Sequence, residues 1–191
     1  DEVRAVTAIR KEVQIAPGVW LISTADEFDA IALKFAEKPP IFVRHIAPVS
    51  LVAPLNADAS DPEVLADIVR DAGSISEGIS AREGQPFSVQ ARIFGDLPYK
   101  PFDVNNALSQ MLVNQTGAAL DVRSPAVVVS VACVALPVGW ARDFAQLRLL
   151  PSGFGAYDAP AFGLVGVSDV VQNLSGWAGG MRRFAREEGQ V

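Results

Sequence analysis

Residues 86–134, PFSVQARIFGDLPYKPFDVNNALSQMLVNQTGAALDVRSPAVVVSVACV, decide the fold. Phe87, Val89, Ala91 and Ile93 alternate with Ser88, Gln90 and Arg92, the period-2 pattern of a half-buried strand over Pro86–Phe94. From Phe102 to Gln115 the period lengthens. Val104, Leu108, Met111 and Leu112 fall on one face of a helix, and Gly117 ends it. Leu120–Pro125 is an extended link, and the apolar run Ala126–Val134 suits a central strand. A strand, a helix and a second strand in succession place a helix over a sheet.

Working outward, Asp61-Pro62-Glu63 reads as an N-cap, a proline at the first helical position and an early acid. Val64, Leu65, Ile68, Val69 and Ala72 line one face of that helix, and Gly73 closes it. A Gly/Ser-rich loop is expected between it and Pro86. Downstream, residues 135–160 are rich in proline and glycine without a clear period, and Ala161–Ser168 is expected as a final strand. At the N-terminal end, Pro17-Gly18 makes a turn before a β-prone run to Ser23. Thr24 and Asp26 offer capping oxygens for a helix from Glu27 to Glu37, stopped by Pro39-Pro40. Ile41–Ile46 is expected as the next strand, running on towards Leu51–Leu55. The alternation of Val3, Ala5, Thr7 and Ile9 fits either a strand or a helix edge. The fold class is α+β. We expect an N-terminal subdomain over 1–56, a second domain over 57–168 with an insertion around 135–160, and a linker over 169–191.

The chain has 191 residues, of which 50% are hydrophobic and 20% charged, enough apolar content for a substantial core. No apolar run is long enough to span a membrane, so no membrane partner is expected. The single cysteine, Cys133, cannot form an internal disulfide and suits a reducing, cytoplasmic setting. Because the chain opens on Asp1 rather than methionine, residues preceding the first subdomain are expected to be missing. The formal net charge is −6, with 6 basic to 8 acidic residues in 1–60, 5 to 9 in 61–134 and 5 to 5 in 135–191. Binding to a polyanion draws on displaced counterions and favours a basic excess, so any such site is a local patch.

The stretch from Pro86 to Val134 resembles a THUMP domain, an RNA-binding module of RNA-modifying enzymes. The similarity lies in Phe87, Val89 and Arg92 (F-x-V-x-x-R), in Asp103-Val104-Asn105 opening the helix, in the link Leu120-Asp121-Val122, and in Pro125 before the apolar strand. The segments KPPIFVRHIAPVSLVAPL before it and FGLVGVSDVVQNLSGWAGGMRRFAREEGQV after it are similar to FtsJ-like large-subunit ribosomal RNA methyltransferases that carry a THUMP domain. The resemblance implies a partial ferredoxin-like subdomain, a THUMP domain with a mixed sheet and helices on one side, and a C-terminal linker. That linker would lead to a methyltransferase domain beyond this chain. It implies structured, ribosomal RNA as the partner, and S-adenosylmethionine as the cofactor of the parent enzyme. The catalytic lysine–aspartate–lysine–glutamate set for ribose 2′-O-methylation would lie in the further domain. No catalytic, cofactor-binding or metal-binding residue is therefore expected here. Other THUMP enzymes (base methyltransferases, thiouridine or pseudouridine synthases) and a stand-alone protein-interaction module remain alternatives.

Arg82, Arg92, Lys100 and Arg123 surround the THUMP-like strands and are the candidates for a phosphate patch. Arg182, Arg183 and Arg186 either meet RNA or the further domain, or form a solvated segment with Arg183 facing Glu187 one turn on. Trp177, between glycines, is either a base-stacking platform or an anchor for the linker. His45, the lone histidine, is expected in a structural role on a strand, and Cys133 as a buried small hydrophobe. Gly153-Phe154-Gly155 is read as a turn.

Overall fold

The computed structural model describes residues 2–135 and 159–169. A short 3-10 turn at Val3–Ala5 leads into strand β1 (Ile9–Ala16), which pairs antiparallel with β2 (Val19–Thr24) across the turn at Gly18. Gly18 has φ +72°, a left-handed conformation that suits glycine. Helix α1 (Phe28–Glu37) follows and buries Ile31, Ala32 and Phe35, as its apolar spacing requires. Residues 41–50 then run without regular structure to β3 (Leu51–Leu55). The hairpin and its helix are the partial ferredoxin-like unit.

The second part contains α2 (Asp61–Ala72), α3 (Ser74–Ser80), β4 (Phe87–Phe94), α4 (Pro101–Thr116), β5 (Val127–Ala135) and β6 (Ala161–Asp169). Its four-stranded sheet has the order β3-β6-β5-β4. β4 and β5 are parallel, joined by α4, and the other two pairings are antiparallel. α2, α3 and α4 cover one face. There Leu65, Val69, Ile75, Ile79, Leu108 and Leu112 close over Phe87, Val89, Val129, Val131 and Val165. Complete burial of each such aliphatic side chain contributes about 1.5–3 kcal/mol. The opposite face is shared. The β1–β2 hairpin packs Ile15 and Leu21 on Val52, Val134, Phe162 and Leu164, leaving the end near Arg92 and Ser168 to the irregular 41–50 segment.

Four local readings are corrected. Ile41–Ile46 is not a strand. β6 already has β3 and β5 as neighbours, so the backbone donors of this segment go to a side chain instead. Leu51–Leu55, expected to continue that strand in the first subdomain, is an edge strand of the larger sheet, paired from Leu51↔Val165 to Leu55↔Ala161. Asp61 does not cap α2. Its side chain is buried, and Oδ1 accepts the Asn56 N–H at 2.9 Å. The Gly/Ser-rich stretch after Gly73 is α3, formed because Ile75 and Ile79, one turn apart, both reach the core.

Two glycines mark close approaches on the sheet. A Cβ on Gly166 would collide with the Pro48 carbonyl oxygen, so the 41–50 segment crosses β6 in direct contact. A Cβ on Gly95 would lie 2.8 Å from the Ala135 Cβ, where the chain leaves β4 against the end of β5.

Candidate nucleic-acid interface

The residues that carry the sequence resemblance build the frame of the second domain. Asp103 accepts the Lys100 backbone N–H at Oδ2 (2.8 Å), closing the first turn of α4. Val104 is fully buried. Asn105 Oδ1 accepts the Ala91 N–H at 2.8 Å, so α4 occupies an outward-facing donor on edge strand β4. In the link, Phe87 N–H donates to Ala119 and Asp121 N–H donates to Phe87, both at 2.9 Å, setting Leu120 parallel beside the start of β4. Asp121 Oδ1 then accepts the N–H groups of Ser124 and Arg123, which hold its carboxyl below the ordinary aspartate range.

A second buried polar group lies where α2 begins. Tyr99, Asp61 and Cys133 meet there, enclosed by core side chains. Burial, reinforced by the neighbouring Cys133 and Asp61, raises the Tyr99 phenol. Burial pushes the Cys133 thiol up to about 12. The expectation for Cys133 holds: it is a buried thiol in a central strand.

The candidate basic residues do not form one cluster. Arg82 follows α3, with Nε 2.8 Å from Asp169 Oδ1 and Nη1 donating to the Gly78 carbonyl. Arg123 stands in the turn before β5, at the same end of the sheet as Asp169, which pairs with Val127. Lys100 precedes α4, beyond the other end of β4. About 25 Å of strand separates the Lys100 end from the Arg123 end. Arg92 projects on the face opposite the helices, where its Nη2 lies 3.0 and 3.1 Å from the two ring nitrogens of His45. No ion pair holds Arg92 among the described residues, and burial lowers its pKa. His45 is thus exposed in an irregular segment rather than set on a strand. Arg182, Arg183, Arg186, Trp177 and Gly153–Gly155 lie outside the described residues.

Charge divides the surface. The groove between α2 and α4 is lined by Glu63, Asp67, Asp103, Asn106, Gln110 and Asn114. Arg70 is the basic residue there, and it is bridged to Asp67 at 2.7 Å and to Asp71 at 3.2 Å. That helical side repels phosphate. The other side carries Arg92, His45 and the exposed Arg44, together with Asp169, which is paired with Arg82. Arg44 and its neighbour Phe42 were passed over in the sequence because the run around them read as an ordinary strand.

The chain matches no protein-family model and no curated protein. Among solved structures, TrmN from Thermus thermophilus is similar with a TM-score of 0.51 and 18% sequence identity, over 90% of this chain and 39% of that one. The fold is of the THUMP type. PH1313 from Pyrococcus horikoshii Ot3 gives a TM-score of 0.48 at 10% identity, covering 87% of this chain and 46% of that one. A 4-thiouridine synthetase in complex with RNA and bound ATP gives 0.40 at 14%, covering 88% and 34%. This chain therefore spans less than half the length of each. The likeness to TrmN establishes a shared architecture.

The turn after parallel strand β4 carries Gly95, whose missing side chain makes room for Ala135.

Proposed function

We propose that this chain is the RNA-recognition region of an RNA-modifying enzyme. The THUMP-type fold carries this reading, because the residues that resemble the RNA-binding family are those that hold its strands, helix and link together. The surface is compatible with it: an acidic helical side, and an opposite side with Arg44 and Arg92 on it. A limited patch of this kind suits recognition of RNA by shape and backbone. The test is binding of the 191-residue chain to a structured RNA across a salt series. The affinity is expected to fall as salt rises, with a log–log slope of about −0.7 to −0.9 per phosphate contacted. No binding, or binding indifferent to salt, overturns the proposal.

The finer reading is a methyltransferase that uses S-adenosylmethionine to modify a ribose 2′-hydroxyl of large-subunit ribosomal RNA. Its support is the sequence similarity of residues 38–55 and 162–191 to that family. Catalysis would belong to a further domain, and this region would deliver the RNA to it. The coding sequence downstream of Val191 decides between this reading and another THUMP enzyme. A cofactor loop with the lysine–aspartate–lysine–glutamate set supports it, and a pyrophosphatase-type loop overturns it.

A further inference from the structure

We infer that Phe42 and Arg44 form a stacking site for an unpaired RNA nucleotide, the base lying on the Phe42 ring and a phosphate beside the Arg44 guanidinium. This rests on the RNA-recognition reading and extends it to the N-terminal unit.

Phe42 is 84% exposed. A single exposed apolar side chain is unremarkable by itself. What sets Phe42 apart is how firmly its backbone is held while the ring is left in water. Glu2 Oε1 accepts the Ile41 N–H, and Oε2 accepts the Phe42 and Val43 N–H groups at 2.9 Å each. Three successive donors thus converge on one carboxylate from a residue about forty positions away. Below this clamp, Val43 and Ile46 pack against Ile31 and Phe35 of α1. With Val43 turned inward, its neighbours Phe42 and Arg44 are both exposed. Two residues of extended chain span about 6–7 Å, a reach suited to one nucleotide's base and phosphate. An aromatic ring whose backbone is already ordered can stack on a base with little further loss of freedom.

The local charge selects a polyanion over an apolar protein surface. Residues 38–57 contain Lys38 and Arg44 and not one aspartate or glutamate, in a chain with net charge −6. Arg44 makes no ion pair among the described residues. Arg92, reached through His45 at 3.0 Å, adds a second cation without an ion pair among the described residues, since Asp169, which lines the same pocket, is paired with Arg82 at 2.8 Å. Glu2, whose carboxylate holds this segment, has both oxygens engaged by backbone donors.

The experiment compares the full chain with its Phe42→Ala, Phe42→Tyr and Arg44→Ala variants. The probes are an RNA hairpin with a short single-stranded tail and the same hairpin made blunt. Wild type is expected to prefer the tailed hairpin. Phe42→Ala should lose about 5–150-fold in affinity for it, as removal of a stacking aromatic does, while binding the blunt hairpin unchanged. Phe42→Tyr should restore the preference. Arg44→Ala should weaken binding to the tailed hairpin and lower its salt slope by about one phosphate contact. The inference is overturned if Phe42→Ala binds the tailed hairpin as tightly as wild type, or if Phe42→Tyr does not rescue. If wild type binds neither RNA, the RNA-recognition reading fails and this site falls with it. If wild type binds both RNAs equally, that reading survives and the stacking site does not.

Discussion

Replacing Asn105 by leucine tests whether the signature residues hold the frame. Leucine has the branched outline of asparagine and is the larger of the two, so the change removes an acceptor without opening a cavity. The Ala91 N–H, now 2.8 Å from Asn105 Oδ1, is left without its partner on a partly buried strand edge. A buried orphan donor costs about 1–3 kcal/mol, and partial exposure places this one at about 1–2 kcal/mol. For a domain of this size that lowers Tm by about 2–8 °C. Asn105→Asp keeps an acceptor oxygen in place, and at pH 7 it should stay within about 0.5 kcal/mol of wild type. Urea unfolding of the three proteins, with hydrogen exchange at the Ala91 amide, reads both effects. If Asn105→Leu matches wild type, or if Asn105→Asp loses as much as leucine does, the side-chain bond does not secure β4 and the argument fails.

Three further outcomes are expected. Gly166→Ala should destabilise the chain by about 1–3 kcal/mol in a denaturant titration, because the new methyl meets the Pro48 carbonyl; an unchanged midpoint would mean that the 41–50 segment yields freely. Cys133, with its thiol pushed up to about 12 and no exposed surface, should resist a thiol reagent at pH 8 until the protein is unfolded; reaction in native buffer contradicts its placement. Burial raises the Glu2 carboxyl, but the Ile41, Val43 and Phe42 N–H donors outweigh it and set it below 4.5. A depressed folded-state pKa gives stability that is present above the unfolded value and lost as pH falls through the folded one. Intrinsic-rate-corrected amide protection at residues 41–43 should therefore fall only below about pH 4.5. Glu2→Ala should abolish it at every pH, and equal protection in wild type and variant refutes the clamp.

Most of the second domain was legible because each element carried its own local signal. Phe87–Ile93 alternates, Val104–Leu112 keeps helical spacing, and Gly73 and Gly117 sit at helix ends with φ +73° and +69°. α3 was hidden because seven residues rich in serine and glycine have little helical preference alone. Burial of Ile75 and Ile79 supplies what propensity does not. The 41–50 segment was misread for a complementary reason. Its apolar residues and proline borders are those of a strand, yet a strand also needs a neighbour with free donors and acceptors. That neighbour is a property of the sheet order, which no local window contains. Glu2 as the partner of Ile41, Phe42 and Val43 was equally out of reach. The candidate basic residues were readable one at a time. The opposition between an acidic helical side and the Arg44–Arg92 side appears only once β4 is oriented.

The sheet order also sets a timetable. Leu51 pairs with Val165, which comes 114 residues later in the chain. At about 5–20 residues per second, a ribosome needs about 6–23 s to deliver β6 after β3 has been made. During that interval β3 has no strand beside it, and β5 has β4 on one side only. Pro54, the fourth of the five residues of β3, withholds one donor and makes this waiting strand a poorer template for another chain. A nascent chain stalled before Ala161 would hold β4 beside β5, with β3 joined to neither. β6 is thus the strand that makes one sheet of the other three.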